Sequence, residues 1–291
     1  MKSIVYILLG IIISSIIVSA FPKNVWKNQQ SLTIQCTDKN PSRELLDKSG
    51  AIIKSRLEDY GVHRVNVEIN KVSSCIRISF DSQVNVNNLI ALLTSKGRIE
   101  FYETYDRFEV IQKSDAIKEL SSLLNTPEDD KESFRFSGIL GYCKQDKKPE
   151  VERYLKDHDM SIPGYEINFC WSEYPNENGD YYLYMLKSQA SMDNSCIVGS
   201  AIQSELPDKK PELMISFDSK GARIWKDLSK RNIGKSVAIV LDKKVMGAPV
   251  VKSEINTGKC VISGNFSWDE INRMNALIKN GVLPLNFELK N

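Results

Sequence analysis

The amino-acid sequence predicts an α+β protein with two packed units behind one apolar N-terminal segment. Three observations carry this expectation. Residues 32–105 alternate in the order strand, helix, strand, strand, helix, strand, the split βαβ pattern of ferredoxin-like folds. Residues 212–289 show a second, equally clear succession of strands and helices. The length of 291 residues is enough for two modest hydrophobic cores.

The chain opens with Lys2 and then an uncharged run from Ile4 to Ala20, dominated by isoleucine, leucine and valine. At about 1.5 Å per residue this just reaches across a hydrocarbon core of about 30 Å. It is long for the apolar part of a signal peptide, which favours an uncleaved anchor. Val18-Ser19-Ala20 also fits a small-residue cleavage site, after which the segment would be removed. In both readings residues from about Phe21 onward lie outside the cytoplasm, so residues 1–27 are assigned to the export segment and its linker.

Residues 32–36 alternate apolar and polar as a half-buried strand. Ser42 is placed to cap a helix whose Leu45, Leu46, Ile52, Ile53 and Leu57 form a stripe, and Gly61 supplies a left-handed stop. Residues 65–69 and 76–80 read as a hairpin. Leu89, Ile90, Leu92 and Leu93 mark a second helix ending near Gly97, and residues 98–105 a strand with Ile99 and Phe101 on one face. Together these make residues 28–105 the base. In this topology Cys36 and Cys75 come to one end of the sheet, but Cys75 is out of phase with Ile76, Ile78 and Phe80, which argues against a disulfide between them.

Residues 106–180 are a variable insert. Ile117, Leu120, Leu123 and Leu124 suggest one helix and residues 151–155 another; residues 126–133 form a charged linker and 174–179 a loop. Residues 181–186 read as an edge strand carrying Tyr181, Tyr182 and Tyr184.

Periodicity returns at the strand 212–217. Asp218 or Ser219 caps a helix with Ala222, Trp225 and Leu228 inward; strand 237–241 follows, then its partner 245–251 across Asp242-Lys243-Lys244. Residues 259–263 add a strand. Ser267 caps a last helix with Ile271, Met274, Leu277 and Ile278 buried, Gly281 ends it, and residues 282–289 close the chain as a strand.

Gly234-Lys235-Ser236 has the letters of a phosphate loop, but Ser229 stands where that loop needs glycine and a β-branched strand follows where it needs a helix, so no nucleotide is expected. Lys plus Arg total 39 against 37 for Asp plus Glu, which provides no field to gather nucleic acid. Six cysteines in an exported chain permit disulfides and leave fifteen complete pairings open. With no Cys-x-x-Cys, and with His63 and His158 isolated, neither a metal nor a cofactor is expected.

The C-terminal stretches FDSKGARIWKDLSKRNIGKSVAIVLDKKVMGAPVV, GKCVISGNFSWDEINRMNALIKNG and VLPLNFEL, in this order and spacing, resemble the large periplasmic domain of SecD. SecD is the membrane subunit of the SecDF complex that assists protein export. The residues matching the family pattern are Gly221-Ala222, Gly234-Lys235, residues 238–242 ending in Asp242, Ala248-Pro249-Val250, residues 262–264 ending in Gly264, and residues 281–288 with Gly281 and Pro284. Residues 96–101 resemble the "GxLEF" edge of the family's base. The resemblance implies that a head subdomain, residues 181–282, is inserted in the ferredoxin-like base, and that residues 283–291 return to the base sheet.

Two departures are visible. Lys243-Lys244 stand where the family usually has glycine, so the hairpin is expected to lengthen or shift. The sequence stops at Asn291, whereas SecD continues into five more membrane helices that carry the proton-coupling charges. The resemblance therefore implies a membrane-tethered, non-enzymatic binding module, contacting unfolded exported polypeptide or Sec translocase components, without those helices. The matched glycines and prolines read as structural, and no catalytic constellation is present in the motifs. The competing expectation is a binder of a small molecule or envelope polymer that reuses the fold.

Overall fold

The computed structural model describes residues 29–81, 86–126, 134–203 and 210–290. The segment from Ile4 to Ala20, most of the linker at 126–133 and residues 204–209 lie outside the described residues. Among the described residues no helix is long and apolar enough to cross a membrane.

The base is built from β1 (Gln29–Cys36), α1 (Arg43–Tyr60), β2 (Asn66–Asn70), β3 (Cys75–Asp81) and α2 (Val86–Thr94). Ser42 caps α1 by accepting the Leu45 N–H, and Gly61 at φ 103° ends it, as the sequence predicts. The next strand, β4 (Ile99–Glu103), leaves this sheet. Its place beside β1 is taken by the last strand of the chain, β14 (Phe287–Leu289), so the order is β14-β1-β3-β2, antiparallel throughout. The assignment of β4 to the base is corrected accordingly: Ile99 and Phe101 are buried against the head, where Phe101 packs edge-on to Phe217 and Trp225. The register sets Gln35, not Cys36, opposite Cys75, and all six cysteines are free and buried.

The insert follows as α3 (Arg107–Lys113), α4 (Asp115–Ser122), β5 (Ile139–Lys144), α5 (Lys148–Asp157), β6 (Ile167–Trp171) and β7 (Asp180–Lys187). β7 is the central strand of the sheet β5-β7-β6, not an edge, and a boundary at 180/181 separates it from both partners. The insert has its own core around Val110, Leu120, Leu140, Val151 and Leu183.

The head comprises β8 (Met192–Asp193), β9 (Ile197–Gln203), β10 (Glu212–Phe217), α6 (Ser219–Arg231), β11 (Val237–Leu241), β12 (Lys244–Gly247), β13 (Lys259–Ile262) and α7 (Trp268–Lys279), before β14 (Phe287–Leu289). Its sheets run β13-β10-β9 and β12-β11-β4-β8. Asp218 caps α6, and Ser267 with Glu270 forms a reciprocal capping box at α7.

The expected partner strand at 245–251 is cut short after Gly247. Pro249 has no N–H to donate, and the chain continues only through single bridges at Val250 and Val251. The closing strand is likewise shorter than 282–289: only 287–289 form a ladder with β1. Leu283 N–H reaches Lys96 O at 2.8 Å, and the Thr37 N–H reaches Asn286 O at 3.0 Å.

The insert sheet and the sheet holding β4 are joined at both sides. Thr104 bridges Leu186, and Ser172 bridges Val245 with the Glu173 N–H on Val245 O at 2.9 Å. Strands β4, β11, β12, β6 and β7 therefore close into an irregular small barrel around Tyr102, Cys170, Tyr184, Leu186, Ala238, Val240 and Val245.

Candidate functional site where base, insert and head meet

Arg56 lies on the buried stripe of α1 with Leu46, Ile53 and Leu57, and its side chain is fully buried. An arginine there is tolerated because it meets the carbonyls that helix C-termini leave without partners. Its Nη1 donates to Leu92 O at 3.2 Å and Ser95 O at 2.7 Å; its Nη2 donates to Lys96 O at 2.8 Å and Gly281 O at 2.7 Å. One guanidinium thus caps α2 of the base and α7 of the head. Burial lowers its pKa to about 10, opposed by the field of Asp242, so it stays cationic at neutral pH.

Asp242 works on the same segment from the other side. Its Oδ2 accepts the Gly97 N–H at 2.9 Å, its Oδ1 accepts the Arg98 N–H at 2.9 Å, and its own N–H donates to Arg98 O at 2.9 Å. Asp242 and Lys243 both have positive φ, 48° and 69°. The hairpin therefore keeps a two-residue turn between Leu241 and Lys244 instead of lengthening. Asp242 is among the non-glycine residues best suited to this conformation, and its bonds to residues 97 and 98 offset the strain.

Beside this clamp lies an open groove of about 870 Å³. The base supplies Lys96 on one wall, β6 supplies Asn168, Phe169 and Cys170 on the other, Arg98 with Glu100 and Tyr102 of β4 forms the floor, and Lys243 stands at the hairpin end. Burial pushes Tyr102 up to about 12, with Glu100 adding to the shift, and pushes the Cys170 thiol up to about 11. Both are neutral at physiological pH, so the groove sets the rings of Tyr102 and Phe169 among the charges of Lys96, Arg98, Glu100, Asp242 and Lys243. A second opening of about 680 Å³ runs past Glu103 and Lys187, but that carboxylate is already held by Lys187 and Arg231 at 2.7 Å each. Among the described residues no three His, Cys, Asp or Glu side chains converge as a metal ion would require.

Of the motif residues expected from sequence, the structure brings two to this junction: Asp242, and Gly281 through its carbonyl on Arg56. Pro284 lies in the half-buried turn leading to β14. The others are spread over the head. Gly221 sits where a Cβ would meet Cys196 Cβ at 2.7 Å, and the adjacent Ala222 packs under Gly258. Gly234 and Lys235 form an exposed turn into β11, with no helix after them. Ala248 packs on the barrel interior, Pro249 O accepts the Val237 N–H, and a Cβ on Gly264 would meet the Phe266 ring at 2.8 Å. Sequence reasoning missed Arg56. Its signal was a charge standing three residues after Ile53 on the apolar stripe of α1.

This mixed architecture of several antiparallel sheets is that of SecDF periplasmic domains. Two solved SecDF structures cover 90% of this chain at 18% identity: one of a super-membrane-facing form, TM-score 0.55, and one of a SecDF described as a membrane component that enhances protein export, TM-score 0.52. The chain covers 29% of the first of these and 98% of the second. Residues 172–285 match the family of the SecDF P1 head subdomain. Protein translocase subunit SecD of Leptotrichia buccalis is 34% identical over 114 residues, 39% of this chain and 26% of its own length. SecD of Rickettsia typhi is 26% identical over 239 residues, 77% of this chain and 43% of its own length. The resemblance to the periplasmic region of SecD is thus shown, and the chain spans less than half the length of these relatives.

Proposed function

We propose that this chain is an extracytoplasmic module of the protein-export machinery that binds polypeptide in extended form and acts without catalysis. The observation that carries the reading is the groove at the junction of base, insert and head, next to the Arg56 and Asp242 clamp. A cleft between subdomains is the ordinary place for a ligand, and a groove that mixes aromatic surface with charged and amide groups suits a chain whose side chains vary. Similarity to SecD supports the connection with export. The base is read as ferredoxin-like, with β14 in the fourth-strand position, and residues 4–20 as its tether to the membrane. Its role in export is then exerted by contacts outside the membrane, on the extracytoplasmic face.

The test is site-specific photo-crosslinking in cells from a probe at Asn168, with a probe at exposed Val72 on the far hairpin as control. Crosslinks to exported proteins or to translocase components from position 168 alone are expected. Equal labelling from both sites, or a single bound small molecule in the groove, overturns the reading.

A further inference from the structure

The groove is not electrically neutral in what it leaves available. Its rim and floor hold Lys96, Arg98 and Lys243 against Glu100 and Asp242. Both oxygens of Asp242 are taken by the backbone N–H groups of residues 97 and 98, and Glu100 lies beside Tyr102 on the same face of β4. Lys96 Nζ is spent on Leu283 O at 3.2 Å. Arg98 and Lys243 are exposed, and neither forms an ion pair within 4.0 Å among the described residues. Arg98 lies in the field of Asp193 without a direct bond to it, and three cations against two acids leave the groove with an excess of positive charge, Arg98 and Lys243 having their donors open.

The wall formed by β6 has a second property. Asn168, Phe169 and Cys170 are consecutive, so they line the groove by the edge of the strand and not by one face. β6 is the outer strand of its sheet, and its far side is paired only beyond this stretch, where Ser172 meets Val245. The register with β7 turns the main-chain groups of Asn168 and Cys170 to that strand and leaves the N–H and C=O of Phe169 on the open edge, where an added strand would pair, a mode of recognition indifferent to sequence.

From these two features we infer that the groove selects extended polypeptide segments carrying carboxylate side chains, laid along the edge of β6 with their acids on Arg98 and Lys243. The inference rests on the polypeptide-binding reading and adds a substrate class to it. The strand edge supplies affinity common to all extended chains, and the two cations discriminate among them. Each partly exposed ion pair contributes modestly, so the preference for acidic over uncharged segments is expected to be roughly five- to tenfold, falling as salt rises.

The experiment measures binding of fluorescent unstructured peptides to the full chain: one alternating Asp or Glu with aliphatic residues, its Asn/Gln counterpart, its Lys/Arg counterpart, and the acidic peptide N-methylated at alternate residues. The expected order is acidic over amide over basic. The doubly substituted chain, Arg98→Gln with Lys243→Gln, should bind the acidic and amide peptides equally and keep the wild-type circular dichroism and melting profile to within a few degrees. N-methylation should abolish binding. Equal affinity of acidic and amide peptides for the wild-type chain overturns the charge preference while leaving the polypeptide-binding reading intact. Undiminished binding of the N-methylated peptide overturns strand addition. A small dicarboxylate that binds as tightly as the acidic peptide, or failure of every peptide alongside positive crosslinking from position 168, also overturns the inference; failure of both assays removes the underlying reading as well.

Discussion

Arg56 and Asp242 grip opposite sides of one short segment, Arg56 through the carbonyls of Ser95 and Lys96 and Asp242 through the N–H groups of Gly97 and Arg98. The segment joins α2 of the base to β4 of the head sheet, so the two charges fix the angle at which the chain crosses between subdomains. Asp242→Ala removes both charge-assisted acceptors and puts a Cβ without hydrogen-bonding capacity at positive φ. It is expected to lower unfolding free energy by about 2–4 kcal/mol, and Asp242→Asn by about half of that, since Asn retains one acceptor and tolerates the left-handed region. Urea unfolding of the three chains decides it; equal loss for Ala and Asn refutes the double-acceptor account.

Gly97 is required where these two grips meet. Its φ is +74°, and a Cβ there would lie 2.4 Å from Arg56 Nη2 and 3.1 Å from Gly281 O. Gly97→Ala should cost about 3 kcal/mol or more, because the guanidinium must leave its carbonyls. Gly234 has a similar φ of +80° with nothing within 4 Å, so Gly234→Ala should cost only the backbone term, about 1 kcal/mol. Comparable denaturant midpoints for the two variants would show that the Arg56 site relaxes freely.

Much of this architecture was legible because helix caps and periodicity are local. Ser42, Gly61, Asp218 and Ser267 do what their positions announce. The destination of β4 was not legible, since its alternation of Ile99 and Phe101 is satisfied equally by either sheet. Strands β5, β6 and β9 were missed because none alternates cleanly: β5 holds Gly141 at a register shift, β6 is partly buried on both faces, and β9 is uncharged throughout. At the junction, Asp242 was found through a motif. Arg56 could be found only by treating a cation on an apolar stripe as a sign of partners distant in sequence, the farthest being Gly281.

Glu103 makes stability depend on acid. It joins β4 to Lys187 at the end of the barrel strand β7 and to Arg231 at the end of α6. Burial pushes its carboxyl up, but the bonds from Lys187 and Arg231 outweigh this and hold it below the ordinary range. A carboxylate whose folded pKa is depressed contributes stability that is complete above its unfolded pKa and is lost as pH falls through the folded value. Glu103→Gln should therefore be less stable than the parent by about 1–3 kcal/mol at pH 7, with the gap closing in acid. A gap that persists unchanged at pH 3 would mean that the variant acts through packing.

Lys243 sets stability against recognition in a single residue. At φ 69° its side chain is strained, and glycine would relieve about 1–2 kcal/mol while losing part of that to the greater freedom of the unfolded chain. Lys243→Gly is expected to stabilise the chain by about 0.5–1 kcal/mol, a rise of about 1–3 °C in Tm. The same substitution deletes one of the two groove cations whose donors are open, so affinity for the acidic peptide should fall about threefold while that for the amide peptide stays constant. Calorimetry and anisotropy on one protein preparation read both effects. A variant with lower Tm would show that the turn carries no strain at this position, and one with unchanged preference for the acidic peptide would assign that preference to Arg98 alone.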